Sequence, residues 1–161
     1  MKGNPASWVL LLLFVYYYID RWIPLGNWNG QYRWPVQNDQ FILDIVVGAA
    51  LLGAILCFLS RFRPGMVVGT LLLALWVCFH LQAWWIPYFR GVTSPQAIAF
   101  HRQFLAHTQV LPRLGNHFPP DAEHAFIDAF VFPAFLICLF ASIRSFAAGW
   151  WPPPQAAPDR T

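Results

Sequence analysis

Residues 121–144 read DAEHAFIDAFVFPAFLICLFASIR, and after Asp128 no charged residue appears until Arg144. An α-helix needs roughly 20 predominantly apolar residues to cross a hydrocarbon core about 30 Å thick, and this run supplies them. An acid inside such a run is costly in hydrocarbon, so Asp128 marks a functional position rather than a filler one.

Three further stretches have the same character, at about residues 8–23, 41–60 and 66–86. Together the four predict an all-α integral membrane protein, a single four-helix bundle over residues 1–148. Composition agrees: 58% hydrophobic and 11% charged residues with a mean hydropathy of +0.46 stand far from the roughly one quarter charged of soluble domains. The first stretch continues into Tyr16, Tyr17, Tyr18 and Asp20 with no small-residue cleavage site, so it reads as a mature helix ending at Pro24. Asn38 or Asp39 is placed to cap the second, Pro133 to kink the fourth, and the Pro-rich segment 149–161 to be extended and disordered. The formal charge of +3 comes from Lys and Arg spread singly around the helix ends, which excludes a nucleic-acid partner and fits membrane flanks. Arg61 and Arg63 in the shortest connection predict a cell-membrane, multi-pass protein with both termini cytoplasmic.

With a rise of about 1.5 Å per residue, Asp20, His80, Asp128 and Asp44 stand roughly 20–27 Å above the cytoplasmic boundary, in one layer of the outer third. His124 lies four residues before Asp128, on the same helical face, where a carboxylate orients an imidazole and raises its basicity. The catalytic set is therefore His124, Asp128, His80, Asp44 and Asp20. Asp121 reads as the N-cap of the last helix and Glu123 as a solvated first-turn acid.

The connection between the third and fourth spans contains Ser94-Pro95, a helix start, and Leu111-Pro112, a stop. An amphipathic helix over about 95–111 is expected in the membrane interface, with His101 and Thr108 in the middle of its apolar face. His101 and Thr108 pointing inward, with Trp84, Trp85 and Phe126, form the expected substrate-binding set.

Histidines and carboxylates at one depth raise a metal or haem site, with His80, His101, His124 and Asp128 as its ligands, but no dense ligand spacing supports it and no cofactor is expected. Cys57, Cys78 and Cys138 occur singly, which excludes a dithiol relay. Ala49 with Gly53, and Gly65 with Gly69, have the spacing of close helix contacts. In layout the chain resembles small sterol-isomerase or sigma-2-type membrane proteins, which implies a lipid-accessible pocket whose acids handle a cationic ligand or intermediate. The resemblance is one of design rather than motif, and Trp84 stands where an acid is wanted one turn beyond His80.

Two function classes follow. One is an enzyme doing acid–base chemistry on a lipophilic small molecule taken from the outer leaflet, with His124 as acid or base. The other is a non-catalytic subunit or ligand-binding protein, in an oligomer or with a partner membrane protein, whose charges pair with one another. Arg21 is the only cation near the layer, so Asp44 and Asp128 are expected to have no partner in the chain.

Overall fold

A computed structural model describes residues 4–35, 40–115 and 117–150, with side chains as far as residue 147. The elements are α1 (Pro5–Trp22), α2 (Phe41–Ser60), α3 (Arg63–His80) continued by a π-helical turn (Leu81–Trp85) and by α4 (Ile86–Arg90), then α5 (Pro95–Arg102) and α6 (Ala122–Trp150). The described residues contain no β-strand, only two isolated bridges. Three helices are long and apolar enough to cross a membrane: Phe41–Ser60, Arg63–Arg90 and Ala122–Ala147. The three tyrosines, Asp20 and Arg21 near the end of α1 keep it out of that group.

The helix ends follow local chemistry. Asn4 caps α1 by accepting from the Ala6 N–H, with Pro5 in the first turn, and its amide also donates to the Phe58 carbonyl of α2. Arg61, in the left-handed region at φ 56°, ends α2, and α3 restarts two residues later with Pro64 in its first turn. The capping position foreseen at Asn38 or Asp39 lies outside the described residues. α6 runs through Pro133 and on to Trp150, so residues 149–150 are helical where an extended tail was expected; the remainder of that tail is outside the described residues.

α1 packs against α2 and α6, and α3 packs against the same two. The buried positions repeat at helical spacing: Leu10, Leu13 and Tyr17 on α1, Leu51, Ile55 and Phe58 on α2, and Ile127, Val131, Ala134 and Cys138 on α6. The opposite faces are also apolar, with Leu43, Leu52, Leu75 and Phe140 exposed. An inside and an outside that are both apolar belong to a chain solvated by lipid.

α5 is shorter than the expected 95–111 helix. Ser94 caps it as foreseen, accepting from the Ala97 N–H, but it ends at Arg102 and the chain proceeds in turns. The Gln109 amide satisfies the Phe104 and His107 carbonyls there. Unwinding lets the Thr108 N–H reach the Asn27 carbonyl and the Thr108 carbonyl accept from the Ala122 N–H, which ties this segment to the start of α6.

Candidate functional site

His80 closes the regular part of α3, and the next five residues form the π-turn. Such a turn closes on the fifth residue instead of the fourth, so His80 and Trp85 come to one face. Both meet Asp128 of α6. His80 Nδ1 lies 2.6 Å from Asp128 Oδ1, without the alignment of an ideal hydrogen bond, and Trp85 Nε1–H donates to Asp128 Oδ2 at 2.7 Å. One turn earlier, Trp76 Nε1–H donates to His80 Nε2 at 2.8 Å. An indole N–H only donates, so His80 Nε2 holds a lone pair and the neutral ring carries its proton on Nδ1, toward Asp128.

His124 is paired differently from the sequence expectation. Its Nδ1 lies 2.5 Å from Asp121 Oδ1, and the same oxygen accepts from its backbone N–H at 3.1 Å. Asp121 is thus the helix cap that the sequence indicates and also the carboxylate that orients His124. Asp128, four residues on, turns instead to α3, where His80 and Trp85 meet it. The second Asp121 oxygen is 2.6 Å from His107 Nδ1. Burial pushes the Asp121 carboxyl up, but the hydrogen bonds and charge of His124, aided by His107, outweigh it and hold the group below the usual carboxylate value.

Asp44 does have a partner in the chain. It is buried, accepts from the Tyr17 hydroxyl at 2.6 Å and meets Arg21 Nε at 3.2 Å. The sequence places Arg21 beside Asp20, but consecutive helical residues point about 100° apart, and Arg21 reaches across to α2. Arg21 also stands 4.0 Å from Glu123. The carboxyl groups of Asp20 and Glu123 lie close enough to interact.

These groups close one end of a cavity of about 480 Å³ between α2 and α3. Asp20, Arg21, His80, Glu123 and His124 line its polar end, and exposed Leu43, Val46, Leu72 and Phe79 flank the rest. Asp44 and Asp128 sit behind it, bonded to groups that line it. None of the five expected substrate-binding residues does so. Trp84 is buried with its ring 3.8 Å from that of His124. Trp85 faces a separate groove beside Asp128. Phe126 packs on Trp28, and exposed Thr108 serves through its backbone. His101 is buried as expected, stacked on Phe118 and edge-on to Trp84. Burial, with His124 nearby, holds His101 below the ordinary imidazole value.

Glu123 and Tyr17 also line the cavity and were not among the expected site residues, whereas Trp76, an aromatic that the sequence offers for lining a cavity, does line it. Among the described residues, the metal-sized cluster is not His80, His101, His124 and Asp128. The sequence raises that set without predicting a metal, and the cluster found is His107, Asp121 and Glu123, whose donor atoms lie within 4.8 Å of one another. No protein-family model, characterised protein or solved structure matches the chain.

Proposed function

We propose that the chain is a membrane-embedded enzyme that moves protons on a lipophilic small molecule. The observation that carries this reading is the convergence of His80 and Trp85 on buried Asp128 through the π-turn. A carboxylate behind an imidazole fixes its tautomer and stabilises the imidazolium that forms when the other nitrogen takes a proton. His80 Nε2, now held by Trp76, is that nitrogen. A substrate group that competes with the indole N–H places its proton on it. His124, held at Nδ1 by Asp121, has its ring 6.1 Å from that of His80 and also lines the cavity. One imidazole as base and the other as acid suits a proton shift within a single substrate, with Asp20 and Glu123 facing any positive charge that develops. A cavity of about 480 Å³ falls in the range of small-molecule sites.

The frame for this chemistry is a four-span bundle, with α1 as the fourth span and α5 in the interface. Both termini are cytoplasmic, because Arg61 and Arg63 lie in the shortest loop. Substrate enters from the bilayer between α2 and α3.

The ion pairs from Arg21 to Asp44 and Glu123 favour a second reading, a non-catalytic ligand-binding protein. One experiment separates the two. The lipophile that co-purifies with the protein in mild detergent is identified by mass spectrometry and returned to the protein in D₂O. Deuterium entering a C–H position with wild type, and at least about 100-fold more slowly with His80→Gln and Asp128→Asn, is the enzyme result. Binding without exchange in wild type is the result of a binding protein.

A further inference from the structure

We propose that His107, Asp121 and Glu123 form a binding site for a divalent first-row transition ion beside the cavity, a proposal that shares Asp121 and Glu123 with the acid–base site but does not rest on that reading. Their donor atoms lie within 4.8 Å of one another, and one imidazole with two carboxylates is a borderline set suited to Zn²⁺, Mn²⁺ or Fe²⁺.

The site is built, since His107 and Asp121 are each held from behind. The His107 segment is fastened by the Thr108 N–H to the Asn27 carbonyl and by the Thr108 carbonyl to the Ala122 N–H, both at 2.7 Å. The His107 ring lies flat enough on Gly30 that a Cβ there would stand 2.8 Å from Nε2, which fixes the ring with Nδ1 toward Asp121. Asp121 Oδ1 is occupied by His124, leaving Oδ2 facing His107 Nδ1 at 2.6 Å. A ligating carboxylate is commonly held this way, one oxygen on the metal and the other on a supporting donor. Ligand atoms about 2.1 Å from a tetrahedral ion are roughly 3.4 Å apart, so opening this pair by under about 1 Å admits the ion.

A second observation points the same way. Asp20 is buried beside Glu123, and its Oδ1 has no hydrogen-bond partner among the described residues. Asp20, Asp121 and Glu123 thus gather three acids, met among the described residues by His107 and His124 at Asp121 and by Arg21, 4.0 Å from Glu123. A divalent ion takes the place of a proton among such acids, with Asp20 or water in the fourth position.

The test uses the full chain in detergent, purified with a histidine-free tag and stripped with EDTA. Equilibrium dialysis against Zn²⁺ and Mn²⁺ is expected to load one ion per chain. His107→Gln and Glu123→Gln are each expected to weaken binding by tenfold or more, whereas His117→Gln keeps the wild-type affinity. Co²⁺ with the wild type gives a readout that needs no variant, namely visible bands of nitrogen–oxygen coordination that Zn²⁺ displaces. Unsaturable uptake, equal affinity in His107→Gln and Glu123→Gln, or the spectrum of aqueous Co²⁺ alone overturns the site.

Discussion

Asp44 shows what a single buried carboxylate does when it is fully engaged. Tyr17 and Arg21 both reach its side chain, and the Tyr18 hydroxyl reaches its carbonyl at 3.2 Å, so one residue of α2 is gripped by three of α1. Breaking a fully buried pair costs about 3–5 kcal/mol, and because Arg21 retains 26% exposure the loss in Asp44→Asn is expected to be roughly 2 kcal/mol. Tyr17→Phe removes one hydrogen bond and costs about 1 kcal/mol. Asp20→Asn costs less than about 1 kcal/mol, because an amide of the same shape keeps its place beside Glu123. Denaturant unfolding in micelles checks the order, and equal losses at Asp44 and Asp20 contradict the assignment of Asp44 as the clamp. At this scale the sequence exposed Asp20, Asp44, His80, His124 and Asp128, because charges in apolar runs are visible without a structure. It did not expose Glu123, since an acid two residues after a cap reads as solvated, and only the approach of α1 gives it Asp20 and Arg21 as neighbours. The pairing of the histidines was equally hidden, because spacing shows which residues share a face but not which helix faces them.

Helix α3 changes its winding just past His80. Counted at 3.6 residues per turn, Trp84 belongs above His80; the π-turn adds one residue and puts Trp85 there, on Asp128. No propensity in Leu81-Gln82-Ala83-Trp84-Trp85 announces the insertion, so the sequence places Trp84 one turn beyond His80, where the structure has Trp85. The early end of α5 has a related cause. Its N-cap is local and was legible, but the contacts of Thr108 with Asn27 and Ala122 are tertiary and override the periodicity beyond Arg102. Helix contacts through small residues were legible in part. Gly69 meets Ala54 at a distance where a Cβ would be 3.0 Å away, and Gly65 lies against Cys57, whereas Gly53 faces open space. Gly48, which no small-residue pair marked, admits the Tyr18 hydroxyl where a side chain would overlap it. Gly48→Ala is therefore expected to destabilise by about 1–3 kcal/mol. Gly53→Ala should change stability by no more than about 1 kcal/mol, on the stabilising side. Thermal unfolding of the two variants side by side measures the difference, and an unchanged midpoint for Gly48→Ala contradicts the close approach of α1 and α2.

Across the whole molecule, what holds the helices together is not what a soluble protein uses. Apolar side chains cover both faces of α2, α3 and α6, so burial gives little preference for one face over the other once lipid surrounds them. Specific contacts then choose the partners: Asp44 with Tyr17 and Arg21 between α2 and α1, His80 and Trp85 with Asp128 between α3 and α6, and a buried Thr70–Ser142 hydrogen bond at 3.0 Å at the other end of that second pair. The membrane class was readable from composition because it depends on totals. The cavity was not, since it exists only where α2 and α3 are held apart above the Gly69–Ala54 contact. α1 decides the topology. It falls outside the group of clearly membrane-spanning helices, yet it packs between α2 and α6 and supplies Asp20 and Arg21 to the cavity. On the proposed four-span reading α1 runs alongside the spans, and its end at Trp22 lies on the side opposite the Arg61–Arg63 turn. Cysteines introduced singly into a cysteine-free chain test this with a membrane-impermeant maleimide. Arg33→Cys and Arg113→Cys are expected to label from outside intact cells. Arg63→Cys, and a cysteine in a tag preceding Met1, should label only once the cytoplasmic face is opened. A tag labelled from outside while Arg63→Cys stays protected would remove α1 from the membrane, and with it the proposed four-span frame around the cavity.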